Sequence, residues 1–306
     1  MGQDNSKNTT GHVWDDDLQE LTNPLPNWWL WTFYITIVFS VIYWIMYPAW
    51  PIGQSYTKGV KGVNEVTYTN NKGEAKTTHW NMRSQFMADM NTHKAGQKQW
   101  FDKVAATSYE DVSRNADLMQ FVNSAGKQLF ADNCAGCHMA GGQGKIGLAP
   151  NLVDDSWIFG GSHDKIYETL TAGRKGYMPP RGGSTISDAQ VKQVSHYVLS
   201  LSGDLHDAEA AKAGEAIFHG EGMCLACHGP DGKGIEALGS ANLTDKIWLW
   251  ADINALPTAE AKADALTALI SAGLNKGVMP AWSGRLTPEQ IKLLTVYVHD
   301  SLGGGK

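Results

Sequence analysis

Charged residues are sparse in this 306-residue chain, at 18% of the total, and the formal net charge is only −6. No basic cluster is long enough to grip a phosphate backbone, and no Walker or dinucleotide-type glycine fingerprint occurs. Nucleic acid is thereby excluded as a partner. Cysteine is scarcer still, with four residues: Cys134, Cys137, Cys224 and Cys227. They form two C-x-x-C pairs with none left over, which is not the spacing of a disulfide scaffold.

One segment lacks charge altogether. Trp28 to Tyr47 reads WWLWTFYITIVFSVIYWIMY, 20 residues that span roughly 30 Å as a helix, the thickness of a bilayer's hydrocarbon core. Pro26 and Pro48 punctuate its ends, and Trp28, Trp29, Trp31, Trp44 and Trp50 suit the headgroup belts. A cleaved signal peptide would need a basic leader. This one holds Lys7 against Asp15, Asp16, Asp17 and Glu20, and Ala49-Trp50-Pro51 is a poor cleavage site. A retained single-pass anchor over 28–47 is expected, preceded by a cytoplasmic segment, 1–27. Lys58 and Lys61 pull weakly towards the opposite orientation. Because bacterial c-type haem is attached outside the inner membrane, the haem motifs outweigh them and put the bulk of the chain on the periplasmic side.

Each cysteine pair is followed at once by histidine, giving Cys134-Ala-Gly-Cys137-His138 and Cys224-Leu-Ala-Cys227-His228. C-x-x-C-H is the attachment motif for c-type haem. Two thioethers hold the macrocycle, and the adjacent imidazole ligates iron only if all three side chains share one helical turn. A zinc ribbon would place its pairs some 15–20 residues apart; here 86 residues (224−137−1) intervene. A thioredoxin-type pair would need a βαβ setting, which the glycine-rich helical surroundings do not offer. Two covalently bound c-type haems are expected.

From about residue 121 the sequence repeats itself. Phe130 and Phe218 precede the two motifs. Asn151-Leu152 and Trp157 follow the first, and Asn242-Leu243 and Trp248 follow the second. Met178-Pro179 and Met279-Pro280 then occupy matched positions, and each copy closes with an apolar-periodic segment, Ser187–Ser200 and Thr287–Ser301. Methionine sulfur is the common sixth ligand of histidine-ligated haem, so Met178 and Met279 are the candidates, alongside His138 and His228. Packing alone accounts best for Tyr197 and Tyr297, whereas Arg174 is a candidate donor to a propionate. Domains this small bury little surface, so the macrocycles are expected to supply core without which they do not fold.

The expected fold class is all-α: one transmembrane helix, a linker over 48–120, and two tandem class I c-type cytochrome domains at 121–203 and 204–306. Within the linker, helices over 78–90 and 96–106 are expected, with a turn at Asn70-Asn71-Lys72-Gly73 and with His79 and His93 as surface histidines.

Asn23-Pro24-Leu25-Pro26-Asn27-Trp28-Trp29 leading into one anchor, then two C-x-x-C-H modules with Met-Pro loops, resembles the dihaem subunit III of cbb3-type cytochrome c oxidases. The resemblance covers 20–47 and 121–306. It implies an electron-transfer subunit with no catalysis of its own, accepting electrons from a soluble c-type cytochrome. It implies, as partners, a monohaem cytochrome subunit and a catalytic haem–copper subunit. It further implies that His138 and Met178 ligate one iron and His228 and Met279 the other. One departure is Ala241, where the first copy has Pro150; the carbonyl that orients the proximal histidine survives the change. The alternatives are a free-standing membrane cytochrome or dehydrogenase partner, and a dihaem peroxidase, against which the two Met-Pro loops speak.

Overall fold

The computed structural model describes residues 9–305. Lys7, the one lysine of the leader, lies outside them, as does the start of the expected 1–27 segment. The chain divides into two compact units, one ending at Gly96 and the other beginning at Gln97.

In the first unit, β1 (Thr9–Trp14) and β2 (Leu18–Leu21) form an antiparallel hairpin. Helix α1 runs Asn27–Met46, one residue earlier at each end than expected, and buries none of its 20 residues. Its apolar surface therefore has the length and exposure of a bilayer span. Strands β3 (Pro51–Ile52) and β4 (Ser55–Tyr56) make a second hairpin, and β5 (Glu65–Thr69) and β6 (Ala75–His79) a third. The expected turn at Asn70 closes this third hairpin, with Asn70 Oδ1 accepting from the backbone N–H of Lys72 (2.9 Å) and Glu74 (3.0 Å). His79 meets the Tyr56 hydroxyl at 2.9 Å, and His93 is exposed.

The all-α expectation needs amending. Four two-stranded sheets are present among the described residues, three of them in the first unit. Thr78 and His79, the expected start of the first linker helix, are instead the end of strand β6, because Thr67 and Thr77 face each other across a short β-branched ladder. The two expected linker helices are one, α2 (Met82–Ala106), which continues through Gly96.

In the second unit come α3 (Tyr109–Arg114), α4 (Ala116–Phe121), a π-helical turn (Val122–Gly126), α5 (Lys127–Asn133) and α6 (Ala135–His138). Then follow α7 (His163–Ala172), β7 (Arg174–Lys175), α8 (Asp188–Leu201) and α9 (Ala208–His219). The chain ends with α10 (Leu225–His228), α11 (Ala259–Ala272), β8 (Val278–Met279) and α12 (Pro288–Val296), which runs on as a π-helical turn to Ser301. The repeat is visible in the caps. Ser187 and Thr287 open α8 and α12 with full capping boxes to Gln190 and Gln290. Helices α7 and α11 both stop at a glycine of positive φ, Gly173 (72°) and Gly273 (69°).

Two apolar cores result, and neither respects the expected boundary at 203/204. The first joins Leu118, Phe130, Cys134, Ile166 and Leu170 to Ile291, Leu294 and Tyr297. The second joins Val191, Val194, Tyr197 and Leu199 to Ile217, Phe218, Ala263 and Leu266. Each copy's motif-bearing half is thus closed by the other copy's final helix. Phe130 lies 5.9 Å from the Tyr297 ring, and Phe218 lies 5.3 Å from Tyr197. The first core also takes Val104 and Val112 from α2 and α3, which the expected 48–120 linker had left out of any domain.

Candidate haem-binding sites

Both C-x-x-C-H motifs wind into a single turn. The His138 N–H donates to the Cys134 carbonyl (3.0 Å), and that of His228 to the Cys224 carbonyl (2.9 Å). Cys134 is buried and Cys224 half-buried, while Cys137 and Cys227 are exposed. Burial, with a smaller contribution from Cys137, pushes the Cys134 thiol up to about 11. Burial raises Cys224 as well. Such thiols are the opposite of the acidic, reactive pair of a disulfide oxidoreductase.

The two imidazoles are held alike. His138 Nδ1 donates to the Pro150 carbonyl at 3.0 Å, and His228 Nδ1 to the Ala241 carbonyl at 2.9 Å. Replacing proline by alanine leaves the second bond intact. Burial lowers the pKa of both histidines, and the carbonyl bond opposes it only in part. Each ring is therefore neutral near pH 7, with its proton fixed on Nδ1 and the Nε2 lone pair left for a metal.

Downstream, the copies share a pattern finer than the Asn-Leu and Trp matches alone: Asn151-Leu152-x-Asp154-x-x-Trp157 and Asn242-Leu243-x-Asp245-x-x-Trp248. Asp154 accepts from the Ser156 N–H (3.1 Å) and Asp245 from the Ile247 N–H (2.9 Å), so each carboxylate ties off the loop leading to its tryptophan. Burial raises both carboxyls above the usual range despite these bonds. The matched spacing was available in the sequence.

The tryptophans differ. Trp157 Nε1 donates to the Asp154 carbonyl at 2.9 Å, whereas Trp248 Nε1 is buried without a protein partner, as is Thr171 Oγ1. A buried N–H without an acceptor is costly, and a haem propionate is an acceptor of the required kind. Together with the paired thiols and the free Nε2 atoms, this orphan donor makes the residues fit a covalently bound haem.

Met178 and Met279 are both half-buried. They sit on one antiparallel ladder in which Arg174 pairs with Met279, Lys175 with Val278, and Met178 with Leu274. Arg174, the candidate propionate donor, has other partners. Its Nε donates to Thr169 Oγ1 (2.9 Å), an Nη contacts Glu168 (3.0 Å), and the guanidinium lies over Phe159.

Against known families, residues 122–198 and 209–298 match the profile for cytochrome c oxidase, cbb3-type, subunit III. Residues 6–54 match the N-terminal domain of cytochrome oxidase-cbb3, FixP. The chain belongs to the cbb3-type cytochrome c oxidase subunit III family. The first two segments each hold one C-x-x-C-H motif, and the N-terminal match contains α1. A cbb3-type oxidase subunit FixP from Azorhizobium caulinodans is 43% identical over 307 residues, covering 97% of this chain and 94% of its own length. A CcoP subunit from Rubrivivax gelatinosus is also 43% identical, over 95% of this chain and 83% of its own. One from Azospirillum brasilense is 39% identical over 97% and 96%. These alignments run through the 48–120 segment, which holds no C-x-x-C-H motif. Membership implies c-type haem.

Proposed function

We propose that the chain is the dihaem electron-transfer subunit of a cbb3-type cytochrome c oxidase, anchored in the bacterial inner membrane by α1. Its N-terminus is cytoplasmic and both haem sites are periplasmic. One haem is bonded to Cys134 and Cys137, the other to Cys224 and Cys227. His138 and His228 supply the proximal ligands, and Met178 and Met279 the sixth ligands. Both repeats are read as class I cytochrome folds. Haem held between imidazole and thioether sulfur supplies a one-electron iron couple with no open coordination position. The protein's own part is to fix each imidazole through a backbone carbonyl, keep it neutral and exclude water. Electrons enter from a soluble c-type cytochrome and leave through a monohaem subunit to the catalytic haem–copper subunit, which alone reduces oxygen.

The supporting observation is the duplicated geometry: two helical C-x-x-C-H turns, each histidine locked by one carbonyl at about the same distance (3.0 and 2.9 Å). The test is haem quantitation on denatured protein. Two haems per chain, retained through acidified organic solvent, are expected, with low-spin spectra and no consumption of oxygen or peroxide by the isolated chain. Extractable porphyrin would remove the assignment, and peroxide turnover at a high-spin haem would replace it with a peroxidase.

A further inference from the structure

We propose that the C-terminal end of α1 carries a binding groove for one anionic phospholipid, with Lys58 at its mouth to receive the lipid phosphate. The groove rests on the functional reading above in one respect, that α1 spans the bilayer with this end on the periplasmic side. It gives Lys58 and Lys61, whose charge pulls against that orientation, a counter-charge of their own.

The charge pattern comes first. Between Glu20 and Glu65 the only charged side chains are Lys58 and Lys61. Both are exposed, and among the described residues neither has a carboxylate within ion-pair distance. The Lys58 ammonium lies 3.7 Å from the centroid of the Tyr56 ring, a contact that positions the charge without neutralising it. Unmatched lysines beside a membrane span attract the phosphates of anionic lipid.

Lys58 follows the last residue of α1 by 12 positions (58−46), enough to carry it away from the helix, yet the chain doubles back. Thr57 Oγ1 accepts from the N–H groups of Ala49 (3.2 Å) and Trp50 (3.0 Å), and the Thr57 N–H donates to the Trp50 carbonyl (2.8 Å). Gly59, at a φ of 79°, comes so near that a Cβ would stand 2.2 Å from the Met46 carbonyl oxygen. That oxygen also accepts from Asn64 Nδ2 at 2.9 Å. The segment that bears Lys58 is therefore fastened to the last turn of the span.

Between the helix and the returning chain lies an open groove of about 460 Å³. One wall is Val41, Trp44 and Ile45, which share a face of α1 at i, i+3 and i+4. Trp50 closes it, its ring edge-on to Trp44 at 4.9 Å. Thr57 and Lys58 supply the polar lining, and the Thr57 hydroxyl, which only accepts in its protein bonds, keeps its proton for a ligand. Val41 lies roughly 8 Å along the axis from the helix end. The lining thus passes from hydrocarbon, through two tryptophans, to a cation, as a bilayer passes from acyl chain to phosphate. An acyl chain fits Val41 and Ile45, and a phosphate fits Lys58 and Thr57. A headgroup carrying its own ammonium would leave the lysines unmatched, which selects a net-negative lipid.

The test is native mass spectrometry of the full-length chain in mild detergent, titrated with dioleoylphosphatidylglycerol. One lipid is expected to bind ahead of the rest and more tightly than dioleoylphosphatidylcholine. K58Q should weaken that first binding about fivefold, the attraction of one lysine near an anionic surface, and K58Q/K61Q should weaken it further. K72Q, in the Asn70 turn, should leave it unchanged, and the water-soluble headgroup glycerophosphoglycerol should not compete. Equal binding of the two lipids, an equal response to K58Q and K72Q, or competition by the headgroup alone would overturn the groove. So would a crosslink in native membranes from Val41→benzoylphenylalanine to another subunit, which would assign this face to a protein helix. Carbonate washing of membranes reads the anchor separately. Release of the chain would remove the span and the groove together, whereas a retained chain with no preference for phosphatidylglycerol removes the groove alone.

Discussion

Gly126 and Tyr297, 171 positions apart (297−126), touch so closely that a Cβ on the glycine would stand 2.8 Å from that of the tyrosine. G126A is accordingly expected to destabilise the first core by about 1–3 kcal/mol, the usual range for overpacking. G214A should cost more, because its Cβ would meet backbone atoms of Gln193 that cannot swing aside. Thermal denaturation of the haem-loaded protein checks both. Equal tolerance of alanine at the two positions would contradict the packing.

Lys262 on α11 is buried, its ammonium donating to the Ile253 carbonyl (2.8 Å) and pairing with Asp204 at 3.1 Å. Burial pushes the Asp204 carboxyl up. The Leu205 N–H and Lys262 outweigh that and leave it below its ordinary value. Removing one partner strands the other charge, so D204A is expected to cost about 3–5 kcal/mol, far more than a surface pair would. Chemical denaturation of D204A beside D204A/K262M reads it, with the double variant recovering much of the loss.

Asp300 accepts from His163 Nε2 (3.1 Å), His299 Nδ1 (2.8 Å) and Ser113 Oγ (2.8 Å), binding the C-terminal π-turn to α7 and α3. Burial raises its carboxyl, but the bonds from His299, Ser113 and His163 prevail and hold it below the usual carboxylate range. A depressed carboxyl stabilises the fold above its unfolded value, about pH 4, and that contribution drains away as pH falls through the folded value. Denaturation midpoints measured from neutral pH downwards should fall more steeply in this acid window for the natural chain than for D300N.

W248F deletes the buried indole N–H that has no protein acceptor. If the donor serves a propionate, the haem-loaded form loses a hydrogen bond to a charged group, about 1.5–3 kcal/mol, and the second haem's potential shifts. W157F, whose N–H already has the Asp154 carbonyl, should move its haem less. Redox titration of both variants separates the cases.

C134S/C137S is expected to abolish cooperative unfolding of the first core, since Cys134 lies within that core. Calorimetry of the variant reads this, and a native-like, cooperative transition would show that the protein does not depend on the macrocycle.

The features legible in the sequence were those fixed locally. The C-x-x-C-H turns, the 20-residue apolar helix and the capped starts of α8 and α12 each depend on a few consecutive residues. The β5–β6 hairpin is legible too, in the alternation Glu65-Val66-Thr67-Tyr68-Thr69 ahead of the Asn70 turn. The choice of helix partner was not legible. Tyr197 and Tyr297 occupy equivalent places in similar segments, and either fits the groove beside Phe130 or Phe218 by composition. What decides between them is the path of the chain after Gly173 and Gly273, which carries no mark in residue type.

The ladder at 174–178 also reverses the order of completion. As the polypeptide leaves the ribosome, everything the second core needs has appeared by Ala272. The first-encoded motif waits for Tyr297, 159 residues after His138 (297−138), on the order of ten seconds or more at bacterial synthesis rates. A stop codon that removed only the final helix would therefore cripple the haem pocket nearest the membrane anchor in sequence, and spare the one nearest the C-terminus.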